Sequence, residues 1–414
     1  MAMAGRLRWL SAVGIAAAAI PLTWACALQA LAARDLAAGP QAASAWAGGR
    51  ADLLAAVAEL EADRARTPAQ FAAAAGLARR ALVRGPMENR ALLVLALDAD
   101  RRAAPQETGR LMTVLAARSL RDVQPQLWLA ERALGARRYG EAFLRLDVAL
   151  RRDPSLSDIL YPAMGAALDD PAATAPLVDR LEGEPKWRRS FLAALAGDED
   201  HGIDRARRLI AAMAASRAPA SEAEVGDLVA AMAQAGDYRA ARAIWLRLLP
   251  REQLGAVPLL YDGGFTGAPG APPFNWRLRQ GGPVVVELAA TSDGAPALHL
   301  QYPLGLRRGF AEQLIVLEPG AYRLTGRTSV EAGDAPAQLV WALSCADGDE
   351  TPLGEVPVSG RDGGWRAFSL AFDVPAGCQA QRLRLSALPQ DGFSTVEAWF
   401  GGMAIERRPG AQAL

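Results

Sequence analysis

Apolar positions follow two different patterns along the chain. From about Ala51 to Leu249 they recur at three- and four-residue spacing, as in DLLAAVAELEADRAR, which predicts amphipathic helices. Beyond Arg251 they alternate with polar residues in short runs separated by Gly, Pro and Asp, which predicts strands. The predicted strands are 284–288, 297–301, 313–317, 321–325, 338–344, 366–373, 382–388 and 394–400.

These patterns predict a multidomain protein in which an all-α part precedes an all-β part. No helical stretch separates the predicted strands, which indicates an antiparallel sandwich, specifically a jelly roll. We predict helical repeats over 51–250 and the sandwich over 251–410, preceded by a targeting segment (1–33) and a linker (34–50). With 414 residues, 51% of them apolar, the chain can bury more than one core.

The targeting segment is predicted from charge and hydropathy. Arg6 and Arg8 precede 25 uncharged residues, 9–33, and about 20 apolar residues suffice to cross a membrane. Arginine before an apolar run directs the following chain outward. Small residues at 25–27 and 30–32 also suit signal peptidase, so a cleaved signal peptide and an inner-membrane anchor both remain open. Either one predicts a periplasmic protein.

An internal repeat supports the helical prediction. Tyr139 lies 68 residues after Phe71, and 68 is twice the 34-residue length of a tetratricopeptide repeat. An aromatic residue can fill the space between paired helices, alanines allow their close approach, and proline ends the second helix. The first copy is Phe71, Ala74, Ala81, Leu82 and Pro86, and the second is Tyr139, Ala142, Ala149, Leu150 and Pro154.

The stretch ALGARRYGEAFLRLDVALRRDP resembles the second half of a tetratricopeptide repeat. A third copy, AGDYRAARAIWLRLLP, supplies Gly236, Tyr238 and Ala241, with the turn glycine that the other copies lack. The resemblance covers roughly 51–250 and implies a helical solenoid whose groove holds a protein partner. An ordinary α-helical domain is the alternative.

The second part resembles jelly-roll carbohydrate-binding modules. The resemblance rests on YDGGFTG, PPFNWRL, LEPGAYRLTGR, GGWRAFSLAFDVPAGC and VEAWFGGMAIERR. It implies contact with a polysaccharide through aromatic side chains, for which Trp276, in a proline-flanked loop, and Trp399, on the same strand face as Glu397, are the candidates. Trp276 is alternatively a cap on the sandwich. Trp341 shares a face with Leu339 and Leu343 and is predicted to lie in the core.

The chain departs from these modules where many of them hold a structural calcium ion. The corresponding stretches are DGGFT, starting at Asp262, and WFGG, starting at Trp399, and they lack the expected carboxylates. No calcium and no other cofactor is therefore predicted. Asp347, Asp349 and Glu350 form an acidic loop that is interpreted as a polar hairpin turn rather than as a calcium site.

Apart from Cys26, the chain contains two cysteines, Cys345 and Cys378, both in the β-rich part. In an exported domain they are candidates for a disulfide that stabilises by about 3–4 kcal/mol. Two buried free thiols are the alternative, and the spacing does not suit a metal.

Little in the sequence suggests catalysis or nucleic-acid binding. The two histidines, His201 and His299, are predicted to be solvated, and neither a nucleophile motif nor a phosphate-binding loop is present. Lys+Arg and Asp+Glu number 45 each, and the arginines are scattered, so no basic face for a nucleic acid is evident.

The function predicted from the sequence is that of a non-catalytic periplasmic scaffold for exopolysaccharide or envelope assembly. Its repeats would hold a protein partner, its sandwich a glycan, and its N-terminal segment would reach the inner membrane. Two alternatives remain: a purely structural interaction module without sugar binding, and a polysaccharide-processing enzyme.

Overall fold

The computed structural model describes residues 50–198, 201–332, 337–348, 350–388 and 394–408, without the side chains of residues 255, 256 and 337. The predicted targeting segment, residues 34–49 of the linker, Asp349 and the last two residues assigned to the sandwich lie outside these ranges. Among the described residues, no helix combines the length and the apolar character needed to cross a membrane. The chain divides into two compact units, and the boundary along the sequence falls between Leu160 and Tyr161.

The described part of the first unit consists of antiparallel helices. They are α1 (Ala51–Arg64), α2 (Pro68–Arg84), α3 (Asn89–Arg101), α4 (Pro105–Arg118), α5 (Val123–Gly135) and α6 (Tyr139–Arg152), and α7 (Ser157–Ala167) crosses into the second unit. Helix α2 begins with a capping box, in which the Thr67 side chain accepts from the Gln70 backbone and the Gln70 side chain accepts from the Thr67 backbone. Pro68 occupies the first turn, where its missing N–H costs nothing.

Hydrogen bonds join successive helical hairpins of the first unit near the C-terminal ends of their second helices. Arg118 Nη1 donates to the Pro86 carbonyl at 2.9 Å, and Arg152 Nε donates to the Arg121 carbonyl at 3.4 Å. The predicted repeat residues of this unit pack between the helices, except that the two prolines follow the ends of α2 and α6. Phe71, Ala74, Ala81, Tyr139, Ala142 and Ala149 are all buried.

Five further helices follow α7 in the second unit. They are α8 (Thr174–Leu181), α9 (Arg188–Ala196), α10 (Gly202–Met213), α11 (Glu222–Gln234) and α12 (Tyr238–Leu248). Ion pairs connect the hairpins at a spacing near that of the repeat. The buried Arg188 guanidinium contacts both Glu224 oxygens at 2.8 and 2.9 Å, and Arg205 contacts both Asp169 oxygens at 2.8 Å.

The strands form two five-stranded antiparallel sheets, as the sequence predicted. Sheet I has the order β1-β4-β9-β6-β7 and sheet II the order β2-β3-β10-β5-β8. The strands are β1 (Arg277–Leu278), β2 (Val285–Ala290), β3 (Pro296–Pro303), β4 (Gly309–Ile315), β5 (Gly320–Ala332), β6 (Ala337–Cys345), β7 (Pro352–Gly360), β8 (Asp362–Val374), β9 (Gln381–Ala387) and β10 (Thr395–Arg407).

The sandwich core is rich in aromatic rings. Trp341 is fully buried, as predicted, with its ring centroid 5.5 Å from that of Phe400 and 5.7 Å from that of Trp276. Phe265, from the opening loop, contacts Trp276 on its other side. The opening loop is therefore part of the core.

Helix α12 packs against the sandwich within the second unit. The Tyr238 hydroxyl donates to the Ala346 carbonyl at 2.9 Å, and Trp245 Nε1 donates to the Ala271 carbonyl at 2.8 Å. Ala346 directly follows Cys345, which forms a disulfide with Cys378 across a Cα–Cα distance of 5.5 Å. The helix thus meets the sandwich at its disulfide-linked turn.

Candidate functional site

The outer face of sheet II carries a continuous row of polar and aromatic side chains. Register pairs Glu287 with His299, His299 with Trp399, Trp399 with Ser329, and Ser329 with Trp365, so the row crosses all five strands. Alternation places these residues opposite the core positions Leu298, Leu300 and Phe400, which are fully buried. We call this surface the indole face and include in it Arg327 and Glu397, which lie two residues away on β5 and β10.

Trp365 provides the more exposed of the two indoles, with 43% of its surface accessible. Its ring lies over Gly401, whose position for a Cβ atom is 3.8 Å from Cη2 of the ring. Gly401 comes two residues after Trp399 on β10, so the Trp365 ring lies over the position next to Trp399 along the strand. The Arg327 guanidinium carbon is 5.2 Å from the Trp365 ring centroid, which is a cation–π distance.

Trp399 is half-buried and held from several sides. The imidazole of His299 stacks on its indole, with centroids 4.2 Å apart and an interplanar angle of 24°. Its Nε1 donates to Glu397 Oε1 at 3.0 Å. Because the indole is fixed in this way, it presents a rigid surface that loses little rotamer freedom when a ligand binds.

His299 lies between two carboxylates. Its Nδ1 is 3.2 Å from Glu287 Oε1 and its Nε2 is 3.3 Å from Glu397 Oε1. Only 15% of its side chain is exposed. The prediction that His299 is a solvated surface residue is therefore wrong: the polar strand face was correctly inferred, but the indole and the carboxylates of the neighbouring strands cover the ring.

The structure separates the two predicted sugar-contact residues. Trp399 lies on the indole face. Trp276 does not present its ring at a rim: it is 7% exposed, and its Nε1 donates to the Asp262 carbonyl at 2.9 Å. That location corresponds to the alternative interpretation, a tryptophan that closes the sandwich.

Sequence reasoning missed Trp365 as a contact candidate. The predicted strand begins at residue 366, whereas β8 begins earlier, at Asp362, and includes Trp365. The usable signal was the position of Trp365 beside two glycines, Gly363 and Gly364, which leaves the ring unshielded by neighbouring side chains.

The described acidic side chains of the opening loop and of the 347–350 loop contact groups of the chain itself. The Asp262 carboxylate accepts hydrogen bonds from the Thr266 backbone and hydroxyl and from the backbone of Gly267 and Ala268. Asp347 accepts from the Gln379 backbone at 2.7 Å. Glu350 is 3.4 Å from Arg382 Nε. In the described ranges, no group of three or more His, Cys, Asp or Glu side chains is placed to hold a metal ion.

The remaining repeat residues lie at the turn into α12. Gly236 has a φ of 85°, which favours glycine, and Tyr238 and Ala241 are buried. The corresponding turns before α4 and α6 use Ala103 and Arg137 at φ of 54° and 56°. The three turns therefore share a left-handed residue although only one of them has glycine.

Comparison with known proteins finds no matching family model and no matching curated protein. Solved structures match about a third of the chain. A carbohydrate-binding module, TmCBM61, solved with β-1,4-galactotriose, is 18% identical, with a TM-score of 0.28 over 37% of this chain and 100% of its own. The CBM22-1 xylan-binding domain of Paenibacillus barcinonensis Xyn10C is 19% identical, with a TM-score of 0.26 over 33% and 87%. At such low scores and identities, these likenesses carry no information about what this chain binds.

Proposed function

We propose that this protein is a non-catalytic scaffold of the bacterial envelope whose sandwich binds a glycan on the indole face. The observation that carries the proposal is the placement of Trp365 and Trp399 on one outer sheet face, where the Trp365 ring reaches across β5 to Gly401, two residues from Trp399. Large aromatic surface is usually buried in a soluble domain, so two indoles on the same outer face indicate a binding surface.

The chemistry of the indole face suits a sugar. The C–H groups of a pyranose ring carry partial positive charge and stack on the negative face of an indole. The carboxylates of Glu287 and Glu397 accept hydrogen bonds from sugar hydroxyls, and Arg327 donates to hydroxyl or carboxylate oxygens. A flat face open along its length accommodates a chain of sugars rather than a single enclosed one.

The remaining parts of the proposal concern location and partners. The Cys345–Cys378 disulfide supports export, because such bonds persist in oxidising compartments. The apolar N-terminal sequence supports a periplasmic location at the inner membrane. The paired helices, with a tetratricopeptide-like signature in three places, support a protein partner, and the combination with a glycan site supports a role in exopolysaccharide or envelope assembly.

The test is affinity electrophoresis of the full chain in gels that contain neutral or acidic polysaccharides. Trp365→Ala and Trp399→Ala are each expected to weaken binding about two- to tenfold, because a stacking contact contributes about 0.5–1.5 kcal/mol and tenfold corresponds to 1.4 kcal/mol. Trp128→Ala is the matched control, since Trp128 is a half-exposed tryptophan on α5 that contacts Asp100 and Arg132.

Three outcomes would contradict the proposal. If no polysaccharide changes the migration, the sandwich does not bind these glycans, and the purely structural interaction module is favoured. Equal weakening by Trp128→Ala would show that the indole face is not the site. New reducing ends in the retarded polysaccharide would show that the protein is an enzyme.

A further inference from the structure

A pocket of about 440 Å³ lies between α12 and the sandwich, at the start of β5 and the end of β10, and shares no lining residue with the indole face. Helix α12 contributes Arg239, Arg242 and Leu246 to it, and Arg407 of β10 contributes a third guanidinium. Glu318 is the one acidic residue among the described residues that line it. The pocket therefore has an excess of positive charge.

Two of the three arginines have partners. Arg239 Nη2 lies 3.1 Å from Glu318 Oε2, so this pair is close to neutral. Arg407 Nη2 donates to the Pro319 carbonyl at 3.4 Å, which uses one donor and leaves the charge uncompensated. The single carboxylate of the pocket is thus already engaged in an ion pair with Arg239.

Arg242 has no such partner. It is half-buried, and among the residues that the structure describes it makes no hydrogen bond and no ion pair. Burial alone lowers the pKa of its guanidinium, and no carboxylate opposes that effect. Desolvating an unpaired cation costs free energy, so we expect an anionic group to bind beside Arg242 and offset this cost.

The opposite side of the pocket is apolar. Leu259 and Val316 line it, and Leu259 is 39% exposed although it is a large apolar residue. A guanidinium beside an apolar wall matches an anion that carries an apolar substituent better than it matches a bare ion.

We infer that this pocket binds an oxoanion group, a phosphate, sulfate or carboxylate, through the guanidinium of Arg242, with Arg407 as the second cation. The planar fork of arginine matches two oxygens of such a group. The ligand can be a free oxoanion or one borne on an amphiphile, and the chemistry of the contact is the same for both sources. The inference is independent of glycan binding on the indole face.

The experiment measures the thermal unfolding midpoint of the full chain while inorganic phosphate or hexyl phosphate is titrated, against sodium chloride of matched ionic strength. The wild type is expected to gain a few degrees at saturating ligand over the chloride control. A larger effect of hexyl phosphate would indicate an amphiphile as the source, and equal effects would indicate a free oxoanion.

Arg242→Met keeps an unbranched apolar stem in the place of the arginine methylenes and removes the charged guanidinium. It is expected to weaken oxoanion binding at least tenfold while the ligand-free protein unfolds at the same temperature or higher, because an unpaired buried charge is gone. Arg247→Met, on the same helix but outside this pocket, is the control and should retain the wild-type response. Arg407→Met provides a second test if the first variant does not fold.

A wild-type midpoint that moves no more with either phosphate than with chloride would overturn the inference. So would an Arg242→Met protein that responds like the wild type. Trp365→Ala should leave the phosphate response unchanged, so a failure of glycan binding and a failure of oxoanion binding can be distinguished.

Discussion

The hydroxyl of Tyr238 donates to the carbonyl of Ala346, a residue 108 positions later in the chain, and both groups are buried. Tyr238 was predicted from the repeat pattern to fill the space between helices. It is indeed buried, but its polar atom is used in the contact between α12 and the sandwich.

Removing this hydroxyl should loosen the contact without emptying the core. Tyr238→Phe is expected to lower the free energy of unfolding of the second unit by about 1 kcal/mol, the usual contribution of one hydrogen bond. Hydrogen exchange at the Ala346 amide, which donates to the Ala380 carbonyl, should become faster. Tyr161→Phe is the control, because it removes a hydroxyl that contacts Ser190 within the helices. It should leave the exchange rate of the Ala346 amide unchanged.

The contribution of the Arg188–Glu224 pair to the free energy of unfolding should depend strongly on the presence of both side chains. Its side chains are only 7% and 6% exposed, so Arg188→Met leaves a buried carboxylate unpaired and is expected to cost about 3–5 kcal/mol in urea unfolding. The double variant Arg188→Met/Glu224→Leu should recover most of that loss, since no charge remains buried. A double variant as unstable as the single one would contradict this account.

The same pair should make stability sensitive to acid. Burial raises the pKa of Glu224, but hydrogen bonds from Arg188 and Ser221 outweigh burial and lower it overall. A carboxyl whose pKa is lower in the folded state contributes stability above its unfolded pKa of about 4.3, and this is lost as pH falls through the folded value. The difference in unfolding free energy between wild type and Glu224→Gln should therefore shrink as the pH falls below about 5, where the carboxyl of the unfolded chain begins to take up its proton. A constant difference would refute the assignment.

Gly263 should tolerate no side chain. A Cβ atom there would lie 2.0 Å from the Met403 carbonyl oxygen, and the Met403 amide donates to the Gly263 carbonyl at 2.8 Å. Gly263→Ala is expected to destabilise by more than about 2 kcal/mol, because β10 or the opening loop must move. At the neighbouring Gly264 the nearest atom, Thr266 Cγ2, is 3.5 Å away, so Gly264→Ala is the control and should change thermal unfolding little.

Reduction of the disulfide should destabilise the sandwich. The bond joins residues 33 positions apart, and the chain-entropy relation then gives about 3–4 kcal/mol. Urea unfolding with and without reductant measures the effect. Cys345→Ala/Cys378→Ala should unfold alike in both conditions, and a wild type insensitive to reductant would disprove the contribution.

The sequence predicted the helices and most strands because their apolar periodicity is strong. It missed β7, where Pro352, Gly354 and Pro357 interrupt the pattern. These residues are tolerated because β7 is the edge strand of sheet I, where a proline removes no essential hydrogen bond. The end of β10 was missed because Gly401 and Gly402 look like a turn, whereas the strand continues through an irregularity in register.

The candidate site was only partly predictable for a different reason. Alternation along β10 placed Trp399 on the outer face with Glu397. The stacking of Trp399 on His299 and the location of Trp365 on the same face depend on the register among four strands that are distant in sequence, and one sequence does not specify that register. Trp276 misled because a proline-flanked loop usually lies at the surface, whereas here the loop folds into the core.

Helix α12 is fastened at two points, Tyr238 and Trp245, which are seven residues or about 10 Å apart on one side of the helix. A single contact would let the helix rotate relative to the sandwich, whereas two contacts prevent that rotation. A partner that binds this helix would therefore also fix the orientation of the sandwich. A force or a rotation applied to the helix would be transmitted directly to the sandwich.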